Sequence, residues 1–364
     1  MIQEARLTID LKSLAHNYSL LRSMLKEKTD LIAVVKANAY GADSSKIAHE
    51  LSRLGTSCFA VAYAEEGAVL RKANIKEPIL VFYPQMGQLE KLIEHNLEPA
   101  LYSLEIIKAF ISLLKKKKIT TYPVHIKCNT GLNRIGLSYE EFICFLKEID
   151  TSSLDIKSVY SHLGASENPK PCSFTQKQID AFELIKATVI ELSTKHPKFH
   201  LLNSSGIFNY PELQLDAVRT GIALYGFANR SEWDKQLKPI AKLSAPICQI
   251  HTLKKGESVG YNQGWEASKD SLIGVIPLGH ADGIGRQYGN GIGKVSVLGQ
   301  SASIIGNVCM DMLMIDISSI NCEIGTEVIL FDQITTAADL ADLSNTISYE
   351  VLTGLSPRIK RVYI

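Results

Sequence analysis

Lys36 closes an apolar, β-branched run, Leu31-Ile32-Ala33-Val34-Val35, and Ala-Asn-Ala, Tyr40 and Gly41 follow it. Such a run reads as a strand buried on both faces, which holds its last residue rigidly at a sheet end. A lysine stripped of water there has a lowered pKa, and only the neutral amine is nucleophilic. The chemistry it supports is condensation with an aldehyde cofactor. The small residues let a ligand approach, Gly41 permits a tight or strained turn, and Tyr40 adds a phenol four residues on. Taken alone, Lys36 reads more plainly as a lysine extending its ammonium to solvent at a sheet rim. Weighing against that is a set of polar residues that recurs after later apolar runs. Lys127 comes with Asn129, Gly131 and Arg134, then His162, then Asn203-Ser204-Ser205-Gly206, then Arg219-Thr220-Gly221-Ile222.

The elements that position these residues alternate. Strand-like runs fall at 31–36, 58–62, 79–83, 99–102, 123–127, 157–162, 199–204 and 215–219, with helical patterns between most of them. Ahead of the first, Ala5 to Ile9 reads as a short strand and Asp10 as the N-cap of a helix carrying Leu11, Leu14, Tyr18, Leu21 and Leu25 on one face. Eight β/α repeats predict a closed parallel barrel, with a doubly wound open sheet as the structural alternative. In such a barrel, functional side chains gather at the C-terminal strand ends and phosphate binds after strands seven and eight. Asn203 to Gly206 and Thr220 to Gly226 supply hydroxyls and free backbone N–H groups at those two places. Either segment alone is as readily a turn. Near residue 235 helical periodicity gives way to short strands and glycine turns, which predicts a barrel over 1–235 and a mainly β domain over 236–364. Residues 1–9 are the exception, a strand open to packing with the second domain.

Composition removes several classes of function. Charged residues are 21 % and the formal net charge is +1, so no concentrated basic surface for nucleic acid or an acidic membrane is expected. Seven cysteines show neither metal-ligand spacing nor an even count for disulfides, which points to a reducing compartment and no metal. No apolar run nears the roughly 20 residues that cross a bilayer, and the first ten residues carry no basic region followed by an apolar core. A cytoplasmic protein is expected.

VVKANAYG at 34–41 is similar to the pyridoxal phosphate (PLP) attachment motif of the alanine racemases. VRTGIALYG, NSSG, GYN, CMD and ISYE resemble that family's other motifs, in order and over almost the whole chain. The resemblance implies a PLP-binding barrel followed by a β domain. It also implies interconversion of L- and D-alanine for peptidoglycan precursors, and a head-to-tail homodimer in which the partner's β domain completes each site. By the same resemblance Lys36 is the cofactor lysine and one base, and Tyr261 the other base, reaching across the dimer. Tyr40, Ser204, Gly221, Ile222 and Tyr349 match the phosphate ligands, with Asn203 opening the same segment. Arg219 matches the arginine on the pyridine nitrogen. His162 and His200 match the histidines that support the tyrosine and that arginine, and Arg134 and Met310 the substrate carboxylate contacts. Lys127 matches a lysine often carbamylated to brace Arg134.

These roles agree with elementary requirements. Racemisation takes the Cα proton from one face and returns it on the other, so two bases must flank the cofactor plane. Lysine and tyrosine both have reference pKa values near 10, so both need perturbing surroundings, such as the cations Arg134 and Arg219. Two departures from the family pattern stand out. Asn129 and Leu132 replace an aspartate and a methionine, which leaves the state of Lys127 open. His280 stands where tyrosine is common at the substrate entrance, which leaves substrate breadth open. A broad-specificity or serine racemase is therefore a close rival. An amino-acid decarboxylase is disfavoured by Arg219, since an acid faces the pyridine nitrogen there. A non-catalytic PLP-binding barrel is disfavoured by Tyr261 and the second domain.

Overall fold

The computed structural model describes residues 3–193, 196–228 and 230–364. Its strands in chain order are β1 (Arg6–Ile9), β2 (Asp30–Val34), β3 (Cys58–Val61), β4 (Ile79–Val81), β5 (Glu98–Leu101) and β6 (Tyr122–Lys127). There follow β7 (Leu154–Tyr160), β8 (Lys198–His200), β9 (Ala217–Thr220), β10 (Ala241–Pro246), β11 (Gln249–Leu253), β12 (Ser258–Val259) and β13 (Trp265–Glu266). The last are β14 (Ser271–Ile276), β15 (Lys294–Val297), β16 (Gln300–Ile305), β17 (Leu313–Asp316), β18 (Glu327–Phe331) and β19 (Lys360–Tyr363).

Strands β2 to β9 form a closed barrel, each parallel to its neighbour, with β2 also paired to β9. The expected (β/α)8 architecture is what the chain adopts. Leu31, Ile32, Ala33 and Val34 are all buried, as a strand between barrel interior and covering helices requires. The helices are amphipathic and locally stopped. Ser44–Arg53 buries Ile47, Ala48 and Leu51. Ser103 caps Leu104–Lys116 by accepting from Ile106 N, and Ser138 with Glu141 forms a capping box on Tyr139–Glu148.

The chain divides into two compact units. One runs Ala15–Ala39 and Ser44–Leu237 and holds the barrel. The other takes the described residues up to Leu14, then Tyr40–Asp43 and Lys238–Ile364. Residues up to Ile9 thus group with the β unit, as the sequence left open, and Tyr40–Asp43 groups there as well. Strand β1 is hydrogen-bonded antiparallel to β10 and parallel to β19, inside a nine-stranded sheet ordered β11-β14-β17-β16-β15-β18-β10-β1-β19. Arg361 Nε donates to Gly41 O and the Tyr363 hydroxyl to Ala42 O, which ties Tyr40–Asp43 to the same unit. Asp10 caps the first helix as expected, its carboxylate accepting from Lys12 N and Ser13 N. No described helix is long and apolar enough to cross a membrane.

Candidate active site

In the barrel unit, strand β2 ends at Val34, and Lys36 opens a stretch whose backbone is left-handed. Ala37, Asn38, Ala39 and Tyr40 have φ of 51° to 53°, and Gly41 has 84°. For residues with a Cβ this conformation costs roughly 1–2 kcal/mol each, so it persists only where surroundings impose it. Three contacts do so. Ala37 N donates to Glu66 Oε1 (2.6 Å), Ser44 N to Asn38 Oδ1 (2.9 Å) and Ala39 N to Val35 O (2.9 Å). Glu66 also accepts from Ala62 N and Tyr63 N, so a single carboxylate ties the exits of β2 and β3 together. Burial lowers the Lys36 pKa, and the charge of Arg134 lowers it further.

Arg219, on β9, is 3 % exposed. Its Nη1 donates to His200 Nδ1 (2.6 Å) and His200 O, and its Nη2 to Ser161 O (2.7 Å), Leu201 O (2.9 Å) and His162 Nδ1 (3.3 Å). Among the described residues no carboxylate pairs with it, and Nε has no hydrogen-bond partner. Burial lowers its pKa to about 10, which leaves it charged at neutral pH. Because arginine only donates, both histidines accept at Nδ1 and their protons sit on Nε2. Burial and the neighbouring cation Arg219 hold both histidines well below the usual imidazole range.

Lys127 ends β6, buried, and donates to Cys128 O (2.9 Å). Burial, with Arg219 next, pulls its pKa to about 7. Tyr160 lies between these groups, stacked on His200 at 4.6 Å, with Arg219 5.1 Å and Lys127 5.3 Å from its ring centre. Tyr160 carried no signal in the sequence beyond that of a strand aromatic. Arg134 is exposed in the loop after β6, close enough to lower the pKa of Lys36, Lys127, His162 and Arg219. Asn129, one of the residues that depart from the family pattern, folds that loop: its Oδ1 accepts from Gly131 N and Asn133 N, and its Nδ2 donates to Asn133 Oδ1.

The segments after β8 and β9 meet. Asn203 caps the short helix Ser204–Asn209 through Gly206 N, and Ser204 Oγ accepts from Gly221 N (3.1 Å) beside Thr220 Oγ1 (3.1 Å). At three strands that lead to site residues the end falls short of the sequence reading: Lys36 lies two residues past β2, His162 two residues past β7, and β8 stops at His200.

In the other unit, Tyr40 is buried with its ring 5.9 Å from that of Tyr349. A Cβ on Gly41 would stand 2.4 Å from Leu352 O, so only glycine fits there. Tyr261 occupies a short turn, Tyr261–Gln263, whose backbone is pinned by Asn307 Nδ2 donating to Tyr261 O (2.9 Å). Its side chain is 71 % exposed, and Met310 is 59 % exposed. Both line a groove of about 660 Å³ with Leu253, Val259, Cys309 and Met312. The Met310 loop is braced by Ala281 N donating to Met310 O and by Arg358 joining Asp282 and Asp311. A Cβ on Gly279 would stand 2.4 Å from Cys309 O and Met310 O, so glycine is required there too. His280, beside it, is exposed.

Comparison with known proteins agrees in sequence and in fold. Residues 9–229 match the family model "Alanine racemase, N-terminal domain" and residues 240–363 match "Alanine racemase, C-terminal domain". The alanine racemase of Thermodesulfovibrio yellowstonii is 37 % identical over 98 % of this chain and 96 % of its own. Among solved structures, alanine racemase from Bartonella henselae with covalently bound pyridoxal phosphate superposes with a TM-score of 0.89 at 31 % identity, covering 100 % of both chains. Alanine racemase from Bacillus anthracis with bound L-Ala-P gives 0.93 at 28 % identity, covering 100 % of this chain and 96 % of that one.

Proposed function

The chain belongs to the alanine racemase family, and from that premise we propose that it interconverts L- and D-alanine with pyridoxal 5′-phosphate, Lys36 and Tyr261 serving as the two bases. The observation that carries this reading is a desolvated amine at Lys36 on the same barrel as a buried, carboxylate-free cation at Arg219. The donor set fits the cofactor. Lys36 offers an amine to the aldehyde. Ser204, Gly221, Ile222, Tyr40 and Tyr349 offer hydroxyls and N–H groups to the phosphate, in the segment that Asn203 caps. Arg219 offers Nε to the ring nitrogen. When bound, the cofactor supplies the electron sink that acidifies the substrate Cα–H.

Arg219 stays protonated and cannot give its proton away, so a ring nitrogen held against it would stay unprotonated. This restrains the sink and favours proton return over side reactions such as transamination. His162, with Nδ1 engaged by Arg219, carries its proton on Nε2, and such a donor would favour the phenolate of a tyrosine base brought against it. Arg134 and Met310 hold the substrate carboxylate. Lys127, whose burial makes a substantial share of the amine neutral near pH 7, is available for carbamylation, which would let it brace Arg134.

Tyr261 and Met310 are exposed on an apolar groove, and a base there needs a surface to exclude water. This supports a homodimer in which the partner's Tyr261 completes the site around Lys36. The seven cysteines without disulfide or metal spacing support a cytoplasmic enzyme, and D-alanine as product supports a role in peptidoglycan precursor supply. The test is to incubate the purified holoenzyme with L-alanine, L-serine and other L-amino acids and follow the D-enantiomers by chiral chromatography. D-alanine should form fastest and approach equal amounts of the two enantiomers. Release of an amine with loss of the carboxylate, or a faster reaction with serine, would overturn the assignment.

A further inference from the structure

Five consecutive barrel strands each contribute one polar side chain to an unbroken line: Glu98 of β5, His125 of β6, Ser158 of β7, His200 of β8 and Arg219 of β9. The links are Glu98 Oε2 to His125 Nε2 (2.9 Å), His125 Nδ1 to Ser158 Oγ (2.6 Å), Ser158 Oγ to His200 Nε2 (2.8 Å) and His200 Nδ1 to Arg219 Nη1 (2.6 Å). His125, Ser158, His200 and Arg219 are all buried, in a place where barrels carry branched apolar residues. A buried polar chain is tolerated only when each member is satisfied.

The chemistry of the end members fixes every proton. Arg219 only donates, so His200 Nδ1 accepts and its Nε2–H donates to Ser158 Oγ. The Ser158 hydroxyl then donates to His125 Nδ1, and His125 Nε2–H donates to the Glu98 carboxylate. Were His125 doubly protonated, it and His200 would both donate to Ser158, and the buried hydroxyl proton would lose its acceptor among the described residues. All four bonds thus run one way, from guanidinium to carboxylate, and the only formal charges lie at the two ends. Glu98, His125, Ser158 and His200 line a cavity of about 320 Å³ with Asp30 and Lys198, and there the Glu98 charge is partly solvated.

We propose that Glu98, His125 and Ser158 are positioning residues that lock the His200 tautomer and, through it, aim Arg219. The proposal rests on the reading of Arg219 as the group facing the cofactor ring nitrogen. Among the described residues the guanidinium has no carboxylate of its own, and this relay polarises its neutral acceptor toward one at the far end of the line.

The test is solid-state ¹⁵N NMR of holoenzyme labelled in histidine, with His125→Asn and His200→Asn used for assignment. Both rings should be neutral with the proton on Nε2. Ser158→Ala should scramble or shift the His200 signals and lower kcat about tenfold in both directions, the scale on which loss of an outer supporting contact acts at metal sites. KM for alanine should change less than about twofold, since no substrate contact is touched. Glu98→Gln keeps an acceptor for His125 without the charge, so it should retain both tautomers and lose less kcat than Ser158→Ala. An imidazolium at either position, an Nδ1–H tautomer at His200, or an unchanged kcat in Ser158→Ala would overturn the relay. A wild-type enzyme that makes no D-alanine would instead refute the functional reading, and the histidine spectra would still judge the relay.

Discussion

The candidate site residues of the barrel unit and those of the β unit are built in opposite ways. Arg219, His200 and Lys127 are buried, at 3 %, 1 % and 5 % exposure, and each is held by hydrogen bonds to its side chain. Tyr261 and Met310 are held by their backbones and present bare side chains, 71 % and 59 % exposed. The barrel groups are tuned when the chain folds, because burial and mutual charge move their pKa values. The β-unit groups are only aimed, and the proposed dimer would supply their environment from the partner chain. Substitutions on the two sides should therefore fail differently.

The largest effect is expected at Lys36. In the proposed mechanism Lys36→Ala removes the covalent anchor and one base together, so racemisation should fall by at least about 10³-fold. Borohydride reduction and peptide mapping of the wild type should label Lys36, and a label on any other lysine would contradict its assignment.

Tyr261→Phe should lower racemisation by roughly 10²-fold or more. Since the phenol is exposed, unfolding stability should stay within about 0.5 kcal/mol of wild type at protein concentrations that keep the assembly constant. Denaturant unfolding beside the rate assay checks both. A large stability loss would make the tyrosine a packing residue and erase the contrast between the units.

The smallest effect concerns Lys127. Its folded pKa of about 7 lies below the ordinary lysine value of 10.5. Its contribution to stability is therefore fully present above about 10.5, falls as pH drops, and is lost through pH 7. In CO₂-free buffer, Lys127→Met should be most favoured relative to wild type near pH 6, and the difference should shift toward wild type as pH rises to 10. A difference independent of pH would mean that Lys127 is charged in the folded protein.

The same contrast explains what could be read from the sequence. Strands β2 to β9 announced themselves because barrel strands are buried on both faces and their helices carry one apolar stripe. Lys36, Arg219 and the Ser204 and Gly221 segments were legible because polar residues after such runs are conspicuous. The relay was not. Ser158 and His125 sit inside strands, where a polar residue is ordinarily read as facing solvent, and only the closure of the barrel turns them toward one another. Glu66 was equally silent, being an exposed-looking acid in the first turn of a helix until its bonds to Ala37 and Ala62 appear. The placement of β1 between β10 and β19 pairs residues more than 200 positions apart, which no local pattern encodes. The left-handed run from Ala37 to Tyr40 follows from contacts to Glu66 and Ser44 rather than from the propensity of alanine.

If Lys36 of one chain works with Tyr261 of another, two inactive variants should restore activity when mixed. Lys36→Ala and Tyr261→Phe are combined in equal amounts under conditions that allow subunits to exchange, with exchange followed by native mass spectrometry. A mixed dimer then has one site carrying both lesions and one carrying neither. With random exchange and independent sites, half the dimers are mixed, and activity should return to about a quarter of the wild-type value. If each chain supplied both of its own bases, every site would lack one, and no activity would reappear despite confirmed exchange.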